Sequence, residues 1–77
     1  MATMAYLFLE CVRDHARSVL SRLKRIPGVR DAHIVTGHYD IVAIVEAPEE
    51  KALGEAVLSK VQSIPGVHRT TTNLVVE

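Results

Sequence analysis

Seventy-seven residues suffice for one small domain, and a chain this short buries only about 60% of its unfolded surface. It is 48% hydrophobic with a mean hydropathy of +0.17, too apolar for disorder, and its single cysteine, Cys11, allows no internal disulfide. Nine Lys+Arg balance nine Asp+Glu, so the chain lacks the basic excess with which a free-standing nucleic-acid binder declares itself. A small apolar chain without a staple points to oligomerisation as the missing stabiliser.

In chain order, the run from Met4 to Leu9 predicts a first strand over about 4–11. It stops at Glu10 and no cationic region precedes it, so it does not read as a signal peptide. No stretch approaches the ~20 apolar residues that span a bilayer, and with one reduced-type cysteine the cytoplasm is the expected compartment. Ala16, Val19, Leu20, Leu23 and Ile26 lie at helical spacing, predicting a helix over about 14–25, with Asp14 as its cap or in its first turn. Arg13, Arg17, Arg22, Lys24, Arg25 and Arg30 crowd this region against Asp14 alone. The plain reading of that cluster is a solvated basic helix face rather than a docking patch.

Strands follow at about 30–36 and 40–47, joined by Gly37-His38-Tyr39-Asp40. Pro48, Glu49 and Glu50 open a second helix over about 49–62, whose stripe is Leu53, Val57, Leu58, Val61 and Ile64. A last strand covers about 68–76. The two halves repeat with a spacing of 38: Ile26-Pro27-Gly28-Val29 returns as Ile64-Pro65-Gly66-Val67, and Val19, Leu20 and Leu23 return as Val57, Leu58 and Val61. Proline ends each helix at the isoleucine before it, and glycine permits the turn into the next strand.

The order βαββαβ with right-handed crossovers gives an α+β, ferredoxin-like fold. One four-stranded antiparallel sheet, in the order 4-1-3-2, has both helices on one face. Strands one and three are apolar on both faces, as central strands require; strands two and four carry Asp31, His33, Thr36, His68, Thr70, Thr71 and Thr72. Helices cover one face only, so the other forms an apolar patch of the kind that marks an interface. Tyr6 and Phe8, or their neighbours Leu7 and Leu9, with Val42 and Ile44 beside them, are expected to pack on a second copy.

Both Ile-Pro-Gly-Val turns, the segment Val35-Thr36-Gly37-His38-Tyr39-Asp40 and the Thr-x-Thr of Thr70 and Thr72 together resemble the effector-binding domain of the Lrp/AsnC family. These are the leucine-responsive and related feast/famine transcription regulators, and the domain is called RAM. The resemblance covers about residues 4–76, and the whole chain, 1–77, is expected to be one such domain in dimeric form. Full-length members carry a helix-turn-helix that this chain has no room for, so it looks like the stand-alone form. The resemblance implies homodimers associating into rings, a free amino acid bound between dimers, and co-assembly with full-length regulators. Direct DNA binding is not implied.

Carried onto this sequence, the effector site comprises Gly37, His38, Tyr39, Asp40, Thr70 and Thr72. Asp40 would accept from a ligand ammonium and the loop amides would hold its carboxylate; the plainer role for Asp40 is to cap its own turn. No cofactor is expected. His15, His33, His38 and His68 lack metal-ligand spacing, leaving only a site between subunits for zinc. Cys11 has no evident activating partner, so catalysis is not expected. The competing readings are a ligand-free oligomerisation scaffold and a small dimeric monooxygenase or isomerase.

Overall fold

The computed structural model describes residues 2–77. Strand β1 (Thr3–Cys11) leads into helix α1 (Ala16–Leu23), then β2 (Val29–Ile34) and β3 (Ile41–Ala47). Helix α2 runs in three consecutive parts, Glu50–Ala52, Leu53–Leu58 and Ser59–Gln62, and β4 (Val67–Leu74) closes the chain. All strand pairs are antiparallel and the sheet order is β2-β3-β1-β4, so the expected topology stands.

Alternation along the central strands assigns each face. Ala5, Leu7 and Leu9 on β1 and Ile41, Ala43 and Val45 on β3 are fully buried beneath the helices. They meet Val19 and Leu23 of α1 and Leu53, Val57 and Val61 of α2 in one core. This overturns part of the expected interface: Leu7 and Leu9 belong to the core, with 0% exposure in the single chain. The opposite face presents Met4, Tyr6 and Phe8 of β1 with Val42 and Ile44 of β3, all at least partly exposed.

Both Ile-Pro-Gly-Val segments form the same turn. Val29 N–H donates to Ile26 O at 3.1 Å and Val67 N–H to Ile64 O at 3.2 Å. Gly28 and Gly66 hold φ of +101° and +100° at the third turn position, the signature of a type II turn with proline second and glycine third. Each turn then docks on the far end of a neighbouring strand: Gly28 O accepts from Glu46 N–H and Gly66 O from Val12 N–H, both at 2.7 Å. One residue later the register shifts in both halves, leaving Arg30 and His68 as the extra residues of equivalent bulges. The duplication read from the apolar pattern is thus carried into backbone geometry.

Three local expectations change. Asp14 neither caps α1 nor enters its first turn. It adopts φ +67°, and the helix begins one residue beyond His15, whose Nδ1–H donates to Arg13 O at 2.8 Å. Helix α2 is wider than an α-helix in its middle, where Ser59 N–H bonds five residues back to Gly54 O. Finally, β2 ends at Ile34 because Val35 N–H already closes the hairpin on Asp40 O at 2.9 Å.

Candidate functional site

The hairpin between β2 and β3 leans over the open face of the sheet. Gly37 turns the chain with φ +111°, and the Tyr39 ring then stacks on Phe8, centroids 5.1 Å apart and planes 25° apart. His38 meets the edge of Tyr39 at 5.8 Å. Aromatic pairs at these separations add to plain burial, so the stack fixes the loop against the middle of β1.

Asp40 anchors the other side of that loop. Its N–H donates to Leu9 O at 2.9 Å, and its Oδ2 accepts from Cys11 N–H at 2.7 Å. The carboxylate therefore satisfies a backbone donor on the end of β1, not in its own turn as the plainer sequence reading had it. Among the described residues Oδ1 has no protein partner.

The pKa of the Cys11 thiol is raised, first by burial and then by the neighbouring Asp40 charge. Cys11 should therefore ionise less readily than an ordinary thiol and alkylate more slowly than glutathione at the same mildly alkaline pH, with the gap narrowed in Asp40→Asn. Equal rates would show that neither cause operates. A thiol whose pKa is raised in the folded state stabilises that state until pH climbs past the ordinary thiol range, so no loss arises from it near neutrality.

The predicted residues do not all meet at one point. Gly37, His38, Tyr39 and Asp40 are gathered by the hairpin beside Phe8 and the end of β1. Thr70 and Thr72 lie on edge strand β4 opposite Leu9 and Leu7, so they share the helix-facing side of the sheet. Thr71 lies opposite Phe8 on the open face, beside the aromatic stack. Thr70 is at the same end of the sheet as Asp40, two strand spacings or about 10 Å across β1. Sequence reasoning missed the Phe8–Tyr39 stack and the Asp40–Cys11 bond, which join residues 31 and 29 positions apart; no local pattern signals either.

The Arg30–Glu46 ion pair and the His33–Asp31 contact (3.1 Å) flank the open face on β2 and β3. Edge strands β2 and β4 hold His33 and His68 at opposite sides of the sheet. Among the described residues no three His, Cys, Asp or Glu side chains gather as a metal set, and no helix is long and apolar enough to cross a membrane.

A ferredoxin-like α+β domain with a duplicated turn and an aromatic-pinned hairpin defines the class. The model of the Lrp/AsnC ligand-binding domain matches residues 4–77. The chain belongs to that family. It is 38% identical over 75 residues to an uncharacterised HTH-type transcriptional regulator of Pyrococcus furiosus, covering 94% of this chain and 50% of the relative. The chain thus spans about half the length of the regulators it matches. It is also 33% identical over 74 residues to homocitrate synthase of Sulfurisphaera tokodaii, matching 16% of that enzyme and 95% of this chain.

Among solved structures, FFRP-DM1 superposes with a TM-score of 0.89 at 28% identity, covering 99% of this chain and 100% of that one. A transcriptional regulator of Neisseria meningitidis in complex with L-Met shares the fold, with a TM-score of 0.84 at 19% identity over 97% of this chain and 50% of that one. The homologues are mostly transcription regulators, and the family is their ligand-binding part.

Proposed function

We propose that this chain senses a free amino acid and transmits its presence through assembly, as a homodimer that joins further dimers or full-length Lrp/AsnC regulators in the cytoplasm. Both helices among the described residues cover the sheet, which favours a sensing and assembly role over DNA reading for this domain. The observation that carries the proposal is the Phe8–Tyr39 stack. It ties the candidate ligand loop to the open sheet face on which a second copy would pack, so a ligand at Asp40 and a partner on that face act on the same side chains. The Neisseria relative holds an amino acid in the same fold, and the enzyme relative carries the module as a small added part; both support a portable sensor over a catalyst.

In this reading the Asp40 carboxylate accepts from the ligand ammonium through its free Oδ1, and loop amides at Gly37 and His38 take the ligand carboxylate. Thr70 and Thr72 face away from Tyr39 within one chain, so they serve a ligand held against another copy. Native mass spectrometry with a mixture of the twenty amino acids tests the whole proposal. A multiple of a dimer that gains discrete ligand mass is expected; a bare oligomer indifferent to every amino acid would leave only a scaffold.

Asp40→Asn sharpens the test, because an amide oxygen still accepts from Cys11 N–H while the charge is gone. Losing a charged hydrogen-bond partner costs about 1.5–3 kcal/mol, or roughly 10- to 100-fold in affinity. Asp40→Asn should therefore bind at least tenfold more weakly in an unchanged dimer. Unaltered affinity would reduce Asp40 to a clamp on β1.

A further inference from the structure

The helix side of the molecule carries a groove of about 450 Å³ that the amino-acid reading does not use. Arg22, Arg25 and Lys60 line it with the apolar Ile26 and Ile64, and Ser59 and Ser63 line it from the end of α2. The repeat explains its shape. At a spacing of 38, Arg22 corresponds to Lys60, Arg25 to Ser63 and Ile26 to Ile64, so the groove is built from equivalent positions of both halves. It remains open because the wall residues are small. The hydroxyls of Ser59 and Ser63 turn back onto Glu55 O and Ser59 O and do not reach across.

Its charge is uncompensated. Neither Arg22, Arg25 nor Lys60 takes part in an ion pair among the described residues. No acidic residue stands three or four positions from any of the three, where a helix normally supplies a counter-ion. Arg22, in the last turn of α1, and Arg25, just beyond its end, add two like charges within three positions of each other. Cations near helix C-termini do gain from the helix dipole, but that gain does not require three of them to converge on one concavity with an apolar lining.

We infer that this groove is a second ligand site, for a small organic polyanion with phosphate or carboxylate groups on a short apolar frame. Two guanidinium forks suit bidentate oxyanions, Lys60 adds a point charge, and Ile26 and Ile64 receive the apolar part. The volume falls in the ordinary range for small-molecule sites, about 300–1,000 Å³. The groove lies on the opposite side of the sheet from Phe8 and Tyr39, so both ligands can be held at once.

Titration of isotope-labelled protein with pyrophosphate, and separately with citrate, tests this by NMR in about 0.15 M salt, where diffuse surface attraction is screened. Saturable shifts should centre on residues 22–26 and 59–65, with a Kd below about 1 mM for at least one anion; which anion does so separates phosphate from carboxylate chemistry. The double variant Arg22→Ala, Arg25→Ala should weaken binding at least about tenfold, since charged hydrogen bonds are lost. Arg17→Ala, which removes a cation of the same helix outside the groove, should change it by less than about twofold. Ser63→Phe fills the groove without altering charge and should weaken binding as much as the double variant. Three results would overturn the site: no saturation by either anion up to about 10 mM, an equal loss in Arg17→Ala, or full binding by Ser63→Phe.

Discussion

Phe8→Glu is expected to dissociate the assembly while leaving the fold of each chain in place. Phe8 lies on the open face, partly buried in the single chain, with the Tyr39 ring as its cover. A glutamate there keeps its carboxylate in water as long as the chain is alone. In a sheet-to-sheet dimer the two-fold axis buries two such carboxylates, each carrying a desolvation penalty of several kcal/mol without a partner. Association should weaken by about 100-fold or more, since about 2.8 kcal/mol already gives that factor.

Tyr6→Glu should act in the same direction, because Tyr6 is 43% exposed on that face, between Ile44 of β3 and Asn73 of β4. Leu7→Glu, one position away, should instead unfold the chain, because Leu7 is fully buried among the helices. Sedimentation velocity reads the mass, and circular dichroism reads the fold. A Phe8→Glu protein of unchanged mass would remove the open face from the assembly, whatever Leu7→Glu does.

That contrast between adjacent residues also shows where sequence ceases to be informative. Strand β1 is apolar at both parities, so its pattern announces a central strand with two dry faces but not which face meets the helices. The answer depends on bulges at Arg30 and His68, each displacing the parity of an edge strand by one. The same bulge in β4 puts Thr70 and Thr72 beside Leu9 and Leu7, while Thr71 joins Phe8. A bulge has no local sequence mark except the glycine two residues before it. By contrast, the sheet order was legible because polar residues confined to strands two and four leave one arrangement that keeps them at the edges.

The start of α1 was misread for a similar reason. Asp14 is a good cap by residue type, but the crossing from β1 needs one residue with positive φ, and Asp14 supplies it. The cationic cluster illustrates the opposite case. Read along α1 and the turn after it alone, Arg22 and Arg25 look like a solvated face. Only the packing of α1 against α2 brings Lys60 to them, although the repeat places Arg22 and Lys60 at equivalent positions.

Gly28→Ala should cost more than any other single methyl added to the turns, about 3 kcal/mol or more. Two effects combine. A residue with Cβ is strained at φ +101°, by about 1–3 kcal/mol. The new methyl would also lie 2.7 Å from Val57 Cγ2 and 2.9 Å from Glu46 O, an overpacking worth another 1–3 kcal/mol or so. Neither neighbour can yield cheaply. Val57 is 2% exposed within the wide turn of α2, and the carbonyl belongs to the backbone of β3.

Gly66→Ala faces the same φ, but its obstacle is the exposed His15, 2.8 Å from the new methyl at Cβ, whose residue sits at the start of α1 and can shift outward. Gly37→Ala meets nothing within 4 Å and should show the strain of positive φ alone. The expected order of loss in urea midpoints, at one protein concentration, is therefore Gly28→Ala, then Gly66→Ala, then Gly37→Ala. If Gly28→Ala proves no worse than Gly37→Ala, the turn does not press α2 against β3. The two repeats would then be held by their core alone, and the cationic groove between the helices would lose the rigid frame its ligand needs.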